Sequence, residues 1–261
     1  MTDPLVAADI IAAARRHRTP LRPLAAAIAP QTEAEGYRIQ EALAGLLAAD
    51  FGARVGYKIG CTSAVMQQYI GIPHPCGGNV FAKGVHASGA SLAAADFVRV
   101  GVECEIAVRL ARDLVPSAAP FTADTVAQAV EAYLPAIEIV DDRYSEWQTM
   151  GAPTLVADDF FAAGCVLGQA VARSVAPDLL DVVGRAVING VEVARGTGAD
   201  VLGHPHHALA WLANHLAASG NGLRAGQIVL TGSLVKTIWL DAGDSVMMDL
   251  SGLGRVSVDF R

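Results

Sequence analysis

The sequence predicts an α+β fold: a helical N-terminal segment, residues 1–52, packed on a β-rich core, residues 53–261, the two making effectively one domain. Three observations carry this. Apolar residues recur at helical spacing up to about residue 50. From about residue 54 the pattern changes to short Val- and Ile-rich runs separated by Gly, Pro and Asp. No βα repeat follows: Gly196-Thr197-Gly198 lacks the downstream pattern of a dinucleotide fingerprint and sits after a hairpin.

Residues 4–18 form the first expected helix, ending in Arg15-Arg16-His17-Arg18, where the macrodipole favours cations. Residues 31–49 form the second, with Ile39, Leu43 and Leu46 on one stripe and its end near Asp50-Phe51-Gly52. Strands are expected at 55–59, 100–110, 136–140, 182–188, 227–230, 246–250 and 255–260. A helix is expected from Thr122 to Tyr133, ending before Pro135, and another from His206 to Ser219, closed by Gly220. Asn189-Gly190 signals a two-residue hairpin turn, and Gly252-Leu253-Gly254 a second hairpin.

The chain is 52% hydrophobic and 17% charged, the composition of a compact globular protein. Its formal net charge of −7 and the absence of a basic run with interleaved aromatics argue against nucleic acid as a partner. The uncharged stretch Phe160 to Ala172 lies between Asp159 and Arg173 and falls short of the ~20 residues of a membrane span. Asp3 and Asp9 precede the basic cluster, the wrong order for a secretory signal. Cys61, Cys76, Cys104 and Cys165 are scattered and read as reduced thiols, so the expected location is cytoplasmic. Only three lysines occur, Lys58, Lys83 and Lys236, in a chain that otherwise uses Arg, which singles each out for inspection.

Three segments could build a site. In Val100–Val108, Glu103 and Glu105 flank Cys104; on a strand the two carboxylates share a face. Paired like charges on an apolar strand call for a neutralising cation, unless that face is solvent. Glu138 is centred in the apolar run Leu134–Val140, either on the core side or on the solvent side. Lys58 sits in the Gly-bounded run Gly56–Gly60, whose glycines permit close approach of a ligand. Three carboxylates without a suitably spaced His or Cys pair define a hard, all-oxygen site that favours Mg²⁺ or Mn²⁺. Other polar residues admit bland readings. Thr231-Gly232-Ser233 offers hydroxyls and N–H groups to a carboxylate or is a turn, and His204, His206 and His207 suit a helix start. Asp158 and Asp159 suit a cap, and Asp141-Asp142-Arg143 suits a local ion pair.

The ordered motifs G-Y-K-I-G-x-T-S (56–63), V-E-x-E-I-A (102–107), L-P-A-I-E-I-V (134–140), W-L-A-N (211–214), V-L-T-G-S (229–233) and the closing G-L-G-x-V resemble the 2-keto-4-pentenoate hydratases of the fumarylacetoacetate-hydrolase-like superfamily. The resemblance spans about residues 35–261. It implies a mixed β-sandwich or β-roll core, Mg²⁺ (or Mn²⁺) on Glu103, Glu105 and Glu138, a catalytic Lys58, and a homo-oligomer, dimer or higher. The implied reaction is metal-dependent addition of water to a 2-hydroxy-2,4-dienoate or 2-oxo-enoate, giving a 4-hydroxy-2-oxo acid in aromatic catabolism. The same site would serve a 2-oxo-3-enedioate decarboxylase of the 4-oxalocrotonate kind or an acylpyruvate C–C hydrolase. A noncatalytic oxo-acid-binding or partner subunit is the non-enzyme alternative.

Thr62, Cys76, Asp159, Phe161 and Ser233 are the expected substrate contacts. Two stretches depart from the family. Cys76 stands where a P-D-F-G segment carries Asp, and Asp159 and Phe161 stand where an A-D-N-x-S segment carries Asn and Ser. Cys76 in place of Asp and Phe161 in place of Ser make the expected pocket less acidic and more apolar, suited to a substrate with an alkyl or aryl distal end.

Overall fold

Asp3 and Pro4 start the first helix. The Asp3 carboxylate accepts the Leu5 N–H at 2.9 Å, and Pro4 fills the first turn, where no N–H partner is needed. The computed structural model describes residues 3–261; Met1 and Thr2 of the segment expected over 1–52 lie outside the described residues. The chain runs α1 (Pro4–His17), α2 (Glu33–Phe51), β1 (Arg54–Gly60), α3 (Ala64–Ile70), β2 (Cys76–Phe81), β3 (Val85–Ala87), β4 (Ala90–Leu92), β5 (Val100–Leu110) and α4 (Ala123–Ala127). It continues through β6 (Val130–Asp141), α5 (Gly151–Ala157), β7 (Ala162–Leu167), β8 (Val171–Ala172), β9 (Val183–Ile188), β10 (Val191–Thr197) and α6 (Pro205–Ala218). The last strands are β11 (Ile228–Ser233), β12 (Ile238–Trp239), β13 (Ser245–Leu250) and β14 (Gly254–Phe260). No helix among the described residues is long and apolar enough to cross a membrane.

The strands form two mixed sheets. One has nine strands, with the path β2-β1-β11-β5-β6-β7-β3 and with β12 on β5 and β8 on β6; the other runs β10-β9-β13-β14-β4. Most pairs are antiparallel, but β1–β11, β3–β7 and β4–β14 are parallel. The sheets enclose one apolar core, to which β5 and β6 give Val102, Cys104, Ile106, Ile137 and Ile139 and the second sheet gives Ala186, Met248 and Val256. The N-terminal helices bury Ile11, Leu43 and Leu47 against α5 residues Leu155 and Val156 in a separate cluster. Gln40 ties α2 to the sheet, donating to the carbonyls of Gly77 (2.9 Å) and Val156 (2.8 Å).

Asn189 and Gly190 turn at φ 52° and 80°, the left-handed pair that an Asn-Gly hairpin requires. The helix expected over Thr122–Tyr133 shrinks to α4. Thr122 caps it as expected of a helix start, but Val130–Tyr133 joins β6, paired with β5 and β8, because cross-strand burial overrides the helical preference of an Ala-rich segment.

The basic end of α1 also divides. Arg16 and Arg18 pair at the surface with Asp50 and Asp96, while Arg15 turns inward to Asp158. The local ion pair expected within Asp141-Asp142-Arg143 is not formed. Asp141 accepts the N–H groups of Val98 and Arg99, and Arg143 reaches Asp158 at 3.2 Å.

Candidate active site

Register places the site. Glu103 of β5 lies opposite Glu138 of β6, and the two-residue period of β5 brings Glu105 to the same face. Lys58 reaches that face across β11, through the pairs Lys58–Leu230 and Leu230–Ala107. Oxygens of the three carboxylates come within 4.8 Å of one another. The face around them is apolar, built from Val80, Ala107, Leu134, Ala136, Cys165 and Leu230. Lys58, Glu105 and Glu138 are 3%, 0% and 1% exposed, so the charges are gathered in a nearly closed interior; Glu103 alone keeps some contact with solvent.

The carboxylates are only partly satisfied. Glu105 accepts the Gly232 N–H at 2.8 Å, Glu103 accepts the Thr237 hydroxyl, and Lys58 Nζ lies 3.0 Å from Glu138 Oε1. Glu105 Oε1 and Glu138 Oε2 accept no hydrogen bond. A buried carboxylate oxygen without a donor is costly. Burial, reinforced by the Glu138 charge, pushes Glu103 up to about 7, and burial with Glu138 and Glu103 holds Glu105 well above the usual carboxylate range. Burial alone would lower Lys58; Glu138, Glu103 and Glu105 outweigh it and raise it, so the side chain is an ammonium. Three converging carboxylates with unsatisfied oxygens fit a hard divalent cation, and these donors match Mg²⁺ or Mn²⁺ better than a softer metal.

The other expected contacts are spread around this centre. Thr62 is buried against Gly232, where an added Cβ would lie 2.5 Å from the Thr62 side chain. Ser233 pairs in register with Glu105, and its hydroxyl donates to the Cys104 carbonyl at 3.4 Å. Thr231 donates to the Ile106 carbonyl at 2.7 Å, so the hydroxyls of the Thr-Gly-Ser segment serve the sheet and its Gly232 N–H serves a carboxylate. Cys76 lies on the Lys58 face, since Gly60 pairs with Cys76 and Lys58 with Gly78. It is fully buried, and its hydrogen bond with Cys61, aided by burial, pushes its thiol far up, so it is neutral.

Asp159 does not point at the carboxylates. It accepts the Asn79 backbone N–H (3.0 Å) and side-chain amide (2.7 Å) and pairs with Arg15 at 3.0 Å. Phe161 packs edge-on to Tyr144 and Trp147, and the ring that stands over Lys58, 5.4 Å from Nζ, is that of Phe160. Phe160, Thr237, Arg15, Arg143 and Asp158 are the neighbours that sequence reading does not select. Thr237 directly follows the inspected Lys236, a weak local signal.

The sequence model of the fumarylacetoacetate (FAA) hydrolase C-terminal family matches residues 67–261. A 2-keto-4-pentenoate hydratase 2 from Dechloromonas aromatica is 34% identical over 257 residues, 98% of this chain and 97% of its own. A 2-hydroxyhexa-2,4-dienoate hydratase from Comamonas testosteroni is 35% identical, covering 79% of this chain and 78% of its own. Among solved structures, 4-oxalocrotonate decarboxylase from Pseudomonas putida G7, complexed with magnesium and adipate, superposes with a TM-score of 0.93 at 26% identity. That match covers 99% of this chain and 97% of the other.

Proposed function

The chain belongs to the fumarylacetoacetate (FAA) hydrolase C-terminal family, and from that premise we propose that it is a divalent-metal-dependent hydro-lyase. Its substrate in this reading is a 2-hydroxy-2,4-dienoate of aromatic catabolism, and its product a 4-hydroxy-2-oxo acid. The observation that carries the reading is the convergence of Glu103, Glu105, Glu138 and Lys58 on one closed face. The likeness over nearly the whole chain to hydratases supports water addition over the other reactions such a site can serve.

Glu103, Glu105 and Glu138 would hold Mg²⁺ or Mn²⁺, which when bound supplies positive charge to the carboxylate and 2-oxygen of the substrate. The Lys58 ammonium, held at 3.0 Å from Glu138, donates a charge-assisted hydrogen bond to the 2-oxygen as negative charge grows there. Protonation at C5 converts the dienol to a 2-oxo-3-enoate, whose C4 is electrophilic, and water adds at C4. Phe160 covers one side of Lys58 and keeps bulk water from competing for its protons. Thr62, Cys76, Phe161 and Ser233 belong to the substrate surround in this reading, and Asp159 contributes through the turn that it anchors.

Structural likeness to a 4-oxalocrotonate decarboxylase supports a second reading, decarboxylation of a 2-oxo-3-enedioate. Such a diacid needs a cation for its distal carboxylate. The buried guanidiniums of Arg15 and Arg143 are both engaged by Asp158. The neutral Cys76 and the Phe160–Phe161 pair favour an alkyl or aryl end instead. The exposed outer face of α1, with Leu5, Val6 and Ile10, supports the homo-oligomer that is part of the same proposal. The deciding experiment is a panel of 2-hydroxydienoates, 2-oxo-enedioates and acylpyruvates with Mg²⁺, followed by loss of the conjugated chromophore and product identification. Turnover of the dienoates to 4-hydroxy-2-oxo acids is expected; release of CO₂ from the diacid as the dominant reaction would replace the hydratase with the decarboxylase.

A further inference from the structure

Asp159, Phe160 and Phe161 adopt φ values of 56°, 48° and 68°, three consecutive non-glycine residues in the left-handed region. Each such residue is strained, and a run of them persists only where the surroundings impose it. Two arginines do so here. Arg15, from α1, donates to Asp158 Oδ1 (2.5 Å), to the Asp158 carbonyl (2.7 Å) and to Asp159 Oδ2 (3.0 Å). Arg143 donates to Asp158 Oδ2 (3.2 Å) and to the carbonyls of Asp158 (3.0 Å), Phe161 (3.3 Å) and Ala162 (3.0 Å). Asp158 is fully buried and the Arg15 side chain is only 9% exposed.

The turn is pressed onto the strands that carry Lys58. A Cβ on Gly78 would lie 2.5 Å from the Asp159 carbonyl and 3.3 Å from Lys58 Cε, and one on Gly60 would lie 3.0 Å from the Phe160 ring. Glycine at both positions lets the turn close over the lysine. The result is the Phe160 ring over Nζ. Of the groups that fasten the turn, Arg15 alone comes from the N-terminal helices.

We propose that Arg15 is a positioning residue for this site: it locks the left-handed turn Asp159–Phe161 so that Phe160 stays over Lys58 and shields the ammonium from water. The inference rests on the reading of Lys58 as the catalytic ammonium. It assigns to α1 a part in the chemistry, although α1 brings no group to the carboxylates. Arg15→Lys keeps a cation but loses the planar fork that spans Asp158 and Asp159. Phe160→Leu removes the ring directly. Asp159→Asn, which leaves Arg15 bound to Asp158, is the milder substitute if Arg15→Lys does not fold.

The test uses the full chain and two readouts. Because the chain has only three lysines, acylation of Lys58 by an amine-reactive reagent can be measured by peptide mass spectrometry against exposed Lys83. Labelling of Lys58 should rise about tenfold in either variant and no further in the double variant, the non-additivity expected of groups acting through one element. On the substrate found for the wild type, kcat should fall about tenfold with KM within about twofold, as for a contribution made in the transition state. A folded Arg15→Lys protein with wild-type Lys58 labelling overturns the proposal, as does multiplication of the two single effects in the double variant. If the wild type turns over no dienoate, the hydratase reading fails while the labelling result still decides whether Arg15 positions the turn.

Discussion

Replacing Glu105 by Gln separates metal binding from folding. The three carboxylates lie within 4.8 Å, and at an effective dielectric of about 20 each ionised pair at that spacing repels by about 3 kcal/mol. Without metal the cluster relieves this by holding protons: Glu105 is well above the usual carboxylate range and Glu103 is near 7. Glutamine has the shape of the protonated acid, and its carbonyl can still accept the Gly232 N–H that Glu105 accepts at 2.8 Å. Chelated Glu105→Gln should therefore melt within a few degrees of the chelated wild type, or above it. Metal at about 100 times its Kd should add about 2.7 kcal/mol to the wild type. For a chain of this size that is a rise in Tm of about 5–10 °C. The variant should gain about 2 °C or less and lose turnover. The assay is thermal melting in EDTA and in a Mg²⁺ series, with activity measured in parallel. A variant that keeps the wild-type metal shift, or full turnover by exhaustively chelated wild type, would remove the carboxylate cluster as the metal site.

Other outcomes follow from the same geometry. Glu103 is raised from 4.5 to about 7, so the fold resists its ionisation; no penalty exists below about pH 4.5, and it grows to about 3 kcal/mol above pH 7. Metal-free protein should thus lose stability from about pH 4.5 to about pH 7, a trend that Mg²⁺ suppresses; superimposable melting profiles with and without metal would contradict it. Lys58→Met should lower kcat by about 10² or more with metal-induced stabilisation intact, and a change confined to KM would demote Lys58 to substrate binding. Wild type should prefer dienoates with alkyl or aryl ends, and Cys76→Asp, which sets a carboxylate on the Lys58 face, should raise hydration of the simple pentadienoate. Comparison of kcat/KM for monoacid and diacid substrates checks both, and a clear wild-type preference for the diacid refutes the apolar-pocket argument.

The Glu103–Glu105 pair of the carboxylate cluster was legible because a strand has a two-residue period: Glu-Cys-Glu in an apolar run fixes two carboxylates on one face without knowledge of the partner strand. Glu138 and Lys58 were legible as charges misplaced in apolar runs, but their meeting depends on β11 lying between β1 and β5, a long-range pairing that no local pattern encodes. The Arg15–Asp158 pair joins residues 143 apart, and each has a sufficient local explanation, a helix end and a cap. The strand Cys76–Phe81 was missed because Gly77 and Gly78 leave no alternating pattern; Gly78 admits the neighbouring turn, a reason visible only once the turn is in place. Phe161 was selected by position within a motif, and the left-handed backbone rotates Phe160 into the expected place.

The carboxylates and the lysine stand on β5, β6 and β1 of a nine-stranded sheet, while Phe160, the ring over Lys58, stands on the left-handed turn that follows α5. Altering one of these strands by one residue of register would turn its charged side chains to the opposite face. The turn takes no part in the register pairs that align those strands. A change in the turn can therefore move what stands over Lys58 while the strand register keeps the four charged side chains together.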